Sequence, residues 1–382
     1  MRLPPGCGDE SGNVVLLNRS LYGLKQAGRA WNVLLSNTLK KQGFEQCLVD
    51  PCIFRFMDNE GVKMILAVHV DDMIVVGAGE DCENLRASLS EYFPTKSLGE
   101  LRWYMGCSFD RDRTAGTLKI SQPAFVDSLV EKFDISTLSS IPACPTVELR
   151  PKGEDEAELR QPFREVVGSL MWLANMTRPD ITDAVRAVAR FTNEPGNQHW
   201  KAARKILAYV AGTRDVGLIY RQGSGSRLSA YADSSFANKA DDRKSVSGGA
   251  VLYGGAAVMW LSRTQRCVTL SSTEAEYVAI GECVKEVLFL RGVLKFIQPS
   301  AEVTGIPVYE DNQGAIKLTE NPLSSARTRH IDIRHHFIRT LSADGDIRIV
   351  YVTSREQHAD VLTKPLEQEL FMYHRHALMG GI

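Results

Sequence analysis

Residues 227–262 read RLSAYADSSFANKADDRKSVSGGAVLYGGAAVMWLS, and residues 271–280 read SSTEAEYVAI. Three apolar runs, Arg227 to Ala232, Ser247 to Tyr253 and Ala257 to Ser262, have strand character, and Ser272 to Phe296 then reads as one long helix. The pattern continues as a strand (Pro307 to Tyr309), helices (Asn312 to Thr319 and Ile331 to Ser342), a strand (Ile347 to Val352) and a C-terminal helix. Strands first, then alternating helices and strands, predict a mixed sheet covered by helices.

Four acids stand where these elements open or close. Asp233 ends the first strand, Glu276 lies one turn into the long helix, Asp311 closes IPVYED, and Asp360 opens the last helix in REQHADVLTKPL. Like charges about 4 Å apart repel by roughly 4 kcal/mol at an effective dielectric near 20. Hard divalent cations remove that penalty, and two of them roughly 3.5–4 Å apart serve phosphodiester cleavage. Acids at strand ends also act as caps and turn residues, so spacing alone leaves both readings open.

Upstream, Met64 to Gly79 (MILAVHVDDMIVVGAG) reads as a hairpin with Asp71 and Asp72 at its tip. Leu24, Trp31, Leu34, Leu35 and Leu39 predict a helix before it; Glu80 to Tyr92 predicts another behind it, and Leu101 to Cys107 a strand. Ile135 to Gln161, with Pro142, Pro145, Pro151 and the run Gly153 to Glu156, has linker character. A helical block follows at Glu165 to Asn175, Pro179 to Thr192 and His199 to Gly212, and QGSGS at residues 222–226 is a second linker.

The 382 residues suggest two or three domains at about 150 each, and 44% hydrophobic with 24% charged residues excludes wholesale disorder. No stretch approaches the roughly 20 apolar residues of a membrane span, and the N-terminus lacks a signal peptide's apolar core. A non-secreted, soluble protein is expected. The eight cysteines show no metal spacing and read as reduced thiols. With 45 basic against 46 acidic residues, nucleic-acid binding has to come from local patches.

The segments YADSSFA, SSTEAEYVAI, EDNQGAI, TRHIDIRHHFIR and QHADVLTKPL, in this order, resemble the ribonuclease H domain of copia-type LTR retrotransposon Pol polyproteins. SLYGLKQAGRAW, VHVDDMIVVG and LGELRWYMG resemble the reverse transcriptase of the same polyproteins, and GSLMWLANMTRPDI with HWKAARKILAYVAGT resembles the joining segment. The resemblance implies an α+β and α/β multidomain chain. Its expected parts are a truncated reverse transcriptase palm and thumb (residues 1–140), a linker and helical connection (141–226), a ribonuclease H-like mixed sheet with flanking helices (227–367) and a tail (368–382).

By motif match, Asp233, Glu276, Asp311 and Asp360 take the metal-binding places of a ribonuclease H, holding two Mg²⁺ or Mn²⁺ ions. Glu274, two residues from Glu276 on a helix, points elsewhere. The implied reaction hydrolyses the RNA strand of an RNA–DNA hybrid, with the RNA recognised through its 2′-hydroxyls. His358 reads as an exposed imidazole on a helical first turn, with a proton-shuttling role as the sharper alternative.

Asp71 and Asp72 match the metal-binding turn of the polymerase, with His69 in place of the usual aromatic and Gly28 in place of a proline. The chain begins within a segment resembling MRLPPG, downstream of the family's first acid-bearing strand and its fingers. Polymerase activity is therefore expected in the parent polyprotein and lost here. Lys25 and Arg29 belong to the segment that faces template and incoming nucleotide. Arg327, Arg329 and Arg334 lie in the densest basic-aromatic run, and Lys201, Arg204 and Lys205 are either a further patch or a solvated helix face. The implied partners are an RNA–DNA hybrid, template RNA with primer, and the other Pol parts, in a cytoplasmic virus-like particle or the nucleus. The rival reading is an inactive retroelement relic that at most binds nucleic acid or another protein.

Overall fold

The computed structural model describes residues 1–18, 20–225, 227–237, 243–320 and 332–381. The chain divides into two compact units, residues 1–99 with 296–299, and residues 100–295 with 300–382.

The first unit contains α1 (Ala27–Lys41), β1 (Phe44–Gln46), β2 (Ile53–Asp58), β3 (Gly61–His69), β4 (Asp72–Val76) and α2 (Gly79–Ser90). The strands form an antiparallel meander in the order β1-β2-β3-β4. Trp31, Leu35 and Leu39 recur every four residues, so one stripe of α1 faces the sheet, where Leu35 and Leu39 join Phe54, Leu66, Leu85 and Leu89 in the core. Leu34 falls off that stripe and is 52% exposed, and Leu24 precedes the helix, so neither plays the part the spacing gave it. Fully burying one such leucine contributes about 1.5–3 kcal/mol.

β3 and β4 close through a two-residue turn at Val70 and Asp71, with His69 opposite Asp72. Val70 has φ 55°, a left-handed conformation that costs a β-branched residue about 1–3 kcal/mol. The Trp31 Nε1–H donates to the Val70 carbonyl at 2.8 Å and helps to hold it.

The second unit opens with β5 (Trp103–Tyr104), β6 (Cys107–Asp112), β7 (Thr117–Ser121) and α3 (Pro123–Lys132). The single strand expected over 101–107 is broken because Met105 and Gly106 both have positive φ, 48° and 74°, and turn the chain back on itself. Next come α4 (Phe163–Met176), α5 (Thr182–Ala189), α6 (Asn197–Gly212) and β8 (Leu218–Arg221). β8 pairs with β7, and one core runs from Val126 through Phe163 and Tyr209 to Leu362.

At the centre of the helical block the Arg178 guanidinium, 1% exposed, donates to both Asp180 carboxylate oxygens at 2.9 Å. It also donates to the Thr213 hydroxyl at 2.7 Å, while Tyr209 donates to Asp180 at 2.5 Å. Arg178→Ala would strand a buried carboxylate, and we expect a loss of about 3–5 kcal/mol, read as a fall in the urea unfolding midpoint.

The final block comprises β9 (Ser229–Ser235), β10 (Val246–Tyr253), β11 (Ala256–Thr264), α7 (Ser272–Ile297), β12 (Ile306–Glu310), α8 (Gln313–Glu320), α9 (Asp332–Ala343), β13 (Ile347–Tyr351) and α10 (Gln368–Met379). The strand order is β11-β10-β9-β12-β13, antiparallel through β11, β10 and β9 and parallel through β9, β12 and β13. This is the mixed sheet with flanking helices that the strand and helix pattern predicts. Ala232 and Asp233 on β9 pair with Gly249 and Gly248 on β10 and point to opposite faces. Gly249 looks towards Cys283 of α7, and Gly248 towards Ala359, Leu362 and Thr363. Among the described residues no helix is long and apolar enough to cross a membrane.

Candidate metal centre

The parallel pairing of β12 with β9 carries Asp311, the residue after β12, towards the Asp233 end of β9. Glu276 projects from the second turn of α7. One carboxylate oxygen from each of Asp233, Glu276 and Asp311 lies within 4.8 Å of the other two. Asp233 sits inside β9, which runs to Ser235, two residues beyond it and not at the strand end the sequence suggested.

Asp360 is near enough to Asp233 for the two carboxyls to influence each other's charge, although it is not one of the three that meet within 4.8 Å. It does not open the last helix. It lies in a 3₁₀ turn, His358–Leu362, and α10 starts only at Gln368. Pro365 disfavours helix at Lys364 and has no N–H to continue one, which ends the turn.

Gln357, fully buried, clamps this turn onto the sheet. Its side-chain amide donates to the carbonyls of Ala232 at 2.9 Å and Tyr309 at 3.4 Å, and its oxygen accepts from the Ala359 N–H. The Thr363 hydroxyl donates to Asp233 Oδ2. Lys364 Nζ donates to Asp360 Oδ1 at 2.9 Å, and Ser354 donates to Asp311 at 2.5 Å. Sequence reading missed Gln357, Thr363 and Lys364, although all three stand in the same short motif as Asp360. It also passed over Glu310, which is fully buried, accepts from the Asn312 N–H at 2.9 Å and has its other oxygen without a hydrogen-bond partner.

Burial, then the charges of Asp233, Glu310 and Asp311, push Glu276 up to about 11. Burial and the neighbouring Asp233 charge push Asp360 up to about 7. Burial likewise raises Asp233 and Glu310. Burial and mutual repulsion thus favour the protonated form of these groups when no cation is present. An all-oxygen donor set with unpartnered buried oxygens on Glu276 and Glu310 fits hard ions such as Mg²⁺ or Mn²⁺.

A carboxyl whose folded-state pKa lies above its unfolded value of about 3.9 binds its proton more tightly in the fold. Its stabilising contribution is complete below that value and is lost as pH rises through the folded one. For Asp360 the window ends at about 7. Urea midpoints of the metal-free chain should therefore fall between about pH 4 and 7, and Mg²⁺ should reduce that fall.

Glu274 turns away from the cluster, accepting from the Leu270 N–H at 2.7 Å. His358 is not an exposed helical imidazole. It is half-buried beside Tyr231, Tyr373 and His374, with its Nδ1 3.0 Å from Nδ1 of His374, and burial pushes it down to about 4.

In the first unit, Asp71 and Asp72 are both exposed at the hairpin tip, and Tyr22 donates to Asp71 Oδ2 at 2.8 Å. Among the described residues no third acid joins them. Lys25, two residues before α1, and Arg29, in its first turn, are both exposed. Arg327 and Arg329 lie outside the described residues, as does the side chain of Arg334. Of the cluster on α6, Arg204 donates to the carbonyls of Phe133 and Asp134, and Lys205 to the Ser139 hydroxyl, so two of its three cations serve the fold.

Residues 1–147 match the reverse transcriptase (RNA-dependent DNA polymerase) family. Over 373 residues the chain is 36% identical to the retrovirus-related Pol polyprotein from transposon TNT 1-94 of Nicotiana tabacum, covering 94% of this chain and 27% of that protein. Over 293 residues it is 31% identical to the putative transposon Ty5-1 protein of Saccharomyces cerevisiae, covering 75% of this chain and 94% of that protein. The solved structure of a foamy viral protease-reverse transcriptase with double-stranded DNA aligns with a TM-score of 0.46 at 12% identity, over 88% of this chain and 60% of that one. The chain spans about a quarter of the length of the plant Pol polyproteins that it matches.

Proposed function

The chain belongs to the copia-type retrotransposon Pol polyproteins, and on that premise we propose that its second unit is a ribonuclease H that hydrolyses the RNA strand of RNA–DNA hybrids. The observation that carries this reading is the meeting of Asp233, Glu276 and Asp311 within 4.8 Å, with Asp360 beside Asp233. These four carboxylates would hold two Mg²⁺ or Mn²⁺ ions. Such a pair supplies charge stabilisation for both the attacking and the leaving oxygen of a phosphodiester.

The chain's own groups set the geometry. Gln357 fixes the turn carrying Asp360 against β9 and β12, and Thr363 orients the Asp233 carboxylate. Cleavage leaves a 3′-hydroxyl on the RNA, and 2′-hydroxyl contacts along the minor groove select RNA over DNA. In domain terms, residues 1–140 are proposed as reverse transcriptase, 141–226 as connection, 227–367 as the nuclease and 368–382 as a tail. Asp71 and Asp72 are proposed as the polymerase's metal-binding pair, with Lys25 and Arg29 towards template and Arg327, Arg329 and Arg334 towards the hybrid. The setting is a cytoplasmic particle or the nucleus, alongside the other Pol parts.

The test is a strand-labelled RNA–DNA hybrid incubated with the purified chain. RNA cleavage in Mg²⁺ or Mn²⁺, stopped by a chelator and absent on duplex DNA, is the expected result. An intact hybrid under both metals would leave only the relic reading.

A further inference from the structure

Lys364 stands inside the acidic cluster and is not one of its expected ligands. Its ammonium donates to Asp360 Oδ1 at 2.9 Å, and it also feels the charges of Asp233 and Asp311. The side chain stays 40% exposed, so the group sits at the mouth of the cluster with room to turn outwards. Its backbone is pinned, since the Lys364 N–H donates to the Asp360 carbonyl at 3.1 Å and the preceding Thr363 is bonded to Asp233.

A divalent cation taken up by Asp360 would displace the ammonium from that carboxylate and leave it as an uncommitted positive charge beside it. An ammonium in that position is repelled by the incoming ions and attracted to whatever negative charge arrives with the substrate. In a bound hybrid that charge would be the phosphodiester backbone. Lysine suits the exchange because its point charge rides on a flexible stem and needs no fixed partner geometry.

We propose that Lys364 is an exchangeable counter-ion: it pairs with Asp360 in the cation-free chain, yields that carboxylate when metal binds, and then contacts a phosphate of the bound strand. This rests on the nuclease reading and adds a residue that both competes with the cation and holds the substrate. Lys364→Met keeps the stem and removes the charge, whereas Lys364→Arg keeps the charge.

Mn²⁺ titration of the full chain, without nucleic acid, is expected to show the Met variant binding about tenfold more tightly than the parent. In hybrid cleavage the Met variant should show a KM raised about tenfold, with its salt dependence weakened by about one phosphate contact, and the Arg variant should restore both. Unchanged Mn²⁺ affinity, or an unchanged KM in the Met variant while the parent cleaves, overturns the role of Lys364 and leaves the nuclease intact. A parent chain that neither binds Mn²⁺ nor cuts the hybrid overturns both.

Discussion

Asp233→Asn should abolish hybrid cleavage, lowering kcat by about 10³-fold or more, and at the same time raise the melting temperature of the cation-free chain. The first effect follows because Asp233 is the hub of the cluster. It lies within reach of Glu276 and Asp311 on one side and of Asp360 on the other. Removing the charge of a group that holds metal forfeits several kcal/mol of transition-state stabilisation, and each 1.36 kcal/mol is about tenfold in rate.

The second effect has the opposite sign because Asp233 is 3% exposed and surrounded by other carboxyls. Burial is the largest influence on its charge there and, with Asp311, disfavours it more than Lys364 and the Thr363 hydroxyl favour it; an amide removes that net cost while still accepting from Thr363. About 1 kcal/mol of relief shifts the midpoint by roughly 2–4 °C in a unit of this size. A structural aspartate would show the reverse, a loss of stability with little change in rate. Kinetics and melting curves on one preparation separate the two. A variant that melts lower and still cuts would dismiss the metal centre.

How much of this was legible beforehand depends on which contacts are local. The strands of the last block follow from their apolar runs, and α7 from its length, because both patterns are written in consecutive residues. Val126, Phe163, Tyr209 and Leu362 share one core only because β8 returns to pair with β7, nearly a hundred residues earlier. HADVL has no internal breaker and so reads as helix, whereas the chain there makes a 3₁₀ turn. The signals that shape it are Pro365 downstream and the side chain of Gln357, whose bonds reach two different strands. Glu310 and Lys364 are ordinary charges in sequence. Only the convergence of β9, β12 and the turn makes one an unpartnered buried acid and the other an ammonium among carboxylates.

Gly248→Ala should cost about 10²-fold in kcat, although Gly248 carries no side chain and is not among the carboxylates. It pairs with Asp233, and its backbone is of an ordinary strand kind, so space is the only demand on it. A Cβ there would stand 2.5 Å from Thr363 Cγ2, 3.0 Å from the Ala359 carbonyl oxygen and 3.1 Å from Leu362 Cβ. The Ala359 carbonyl is backbone and precedes Asp360 directly, so relieving the clash moves the turn and the Asp360 carboxylate with it. A misplacement of about 1 Å at a reacting centre suffices for a loss of this size, and overpacking itself costs about 1–3 kcal/mol. Gly249→Ala is the matched control. Its Cβ would press on Cys283 at 3.2 Å, on the face covered by α7, and so crowds the sheet without touching the turn. Both variants should melt lower, and only the first should lose kcat. Equal rates in the two would show that the seating of the 358–362 turn on β10 does not position Asp360 for the reaction.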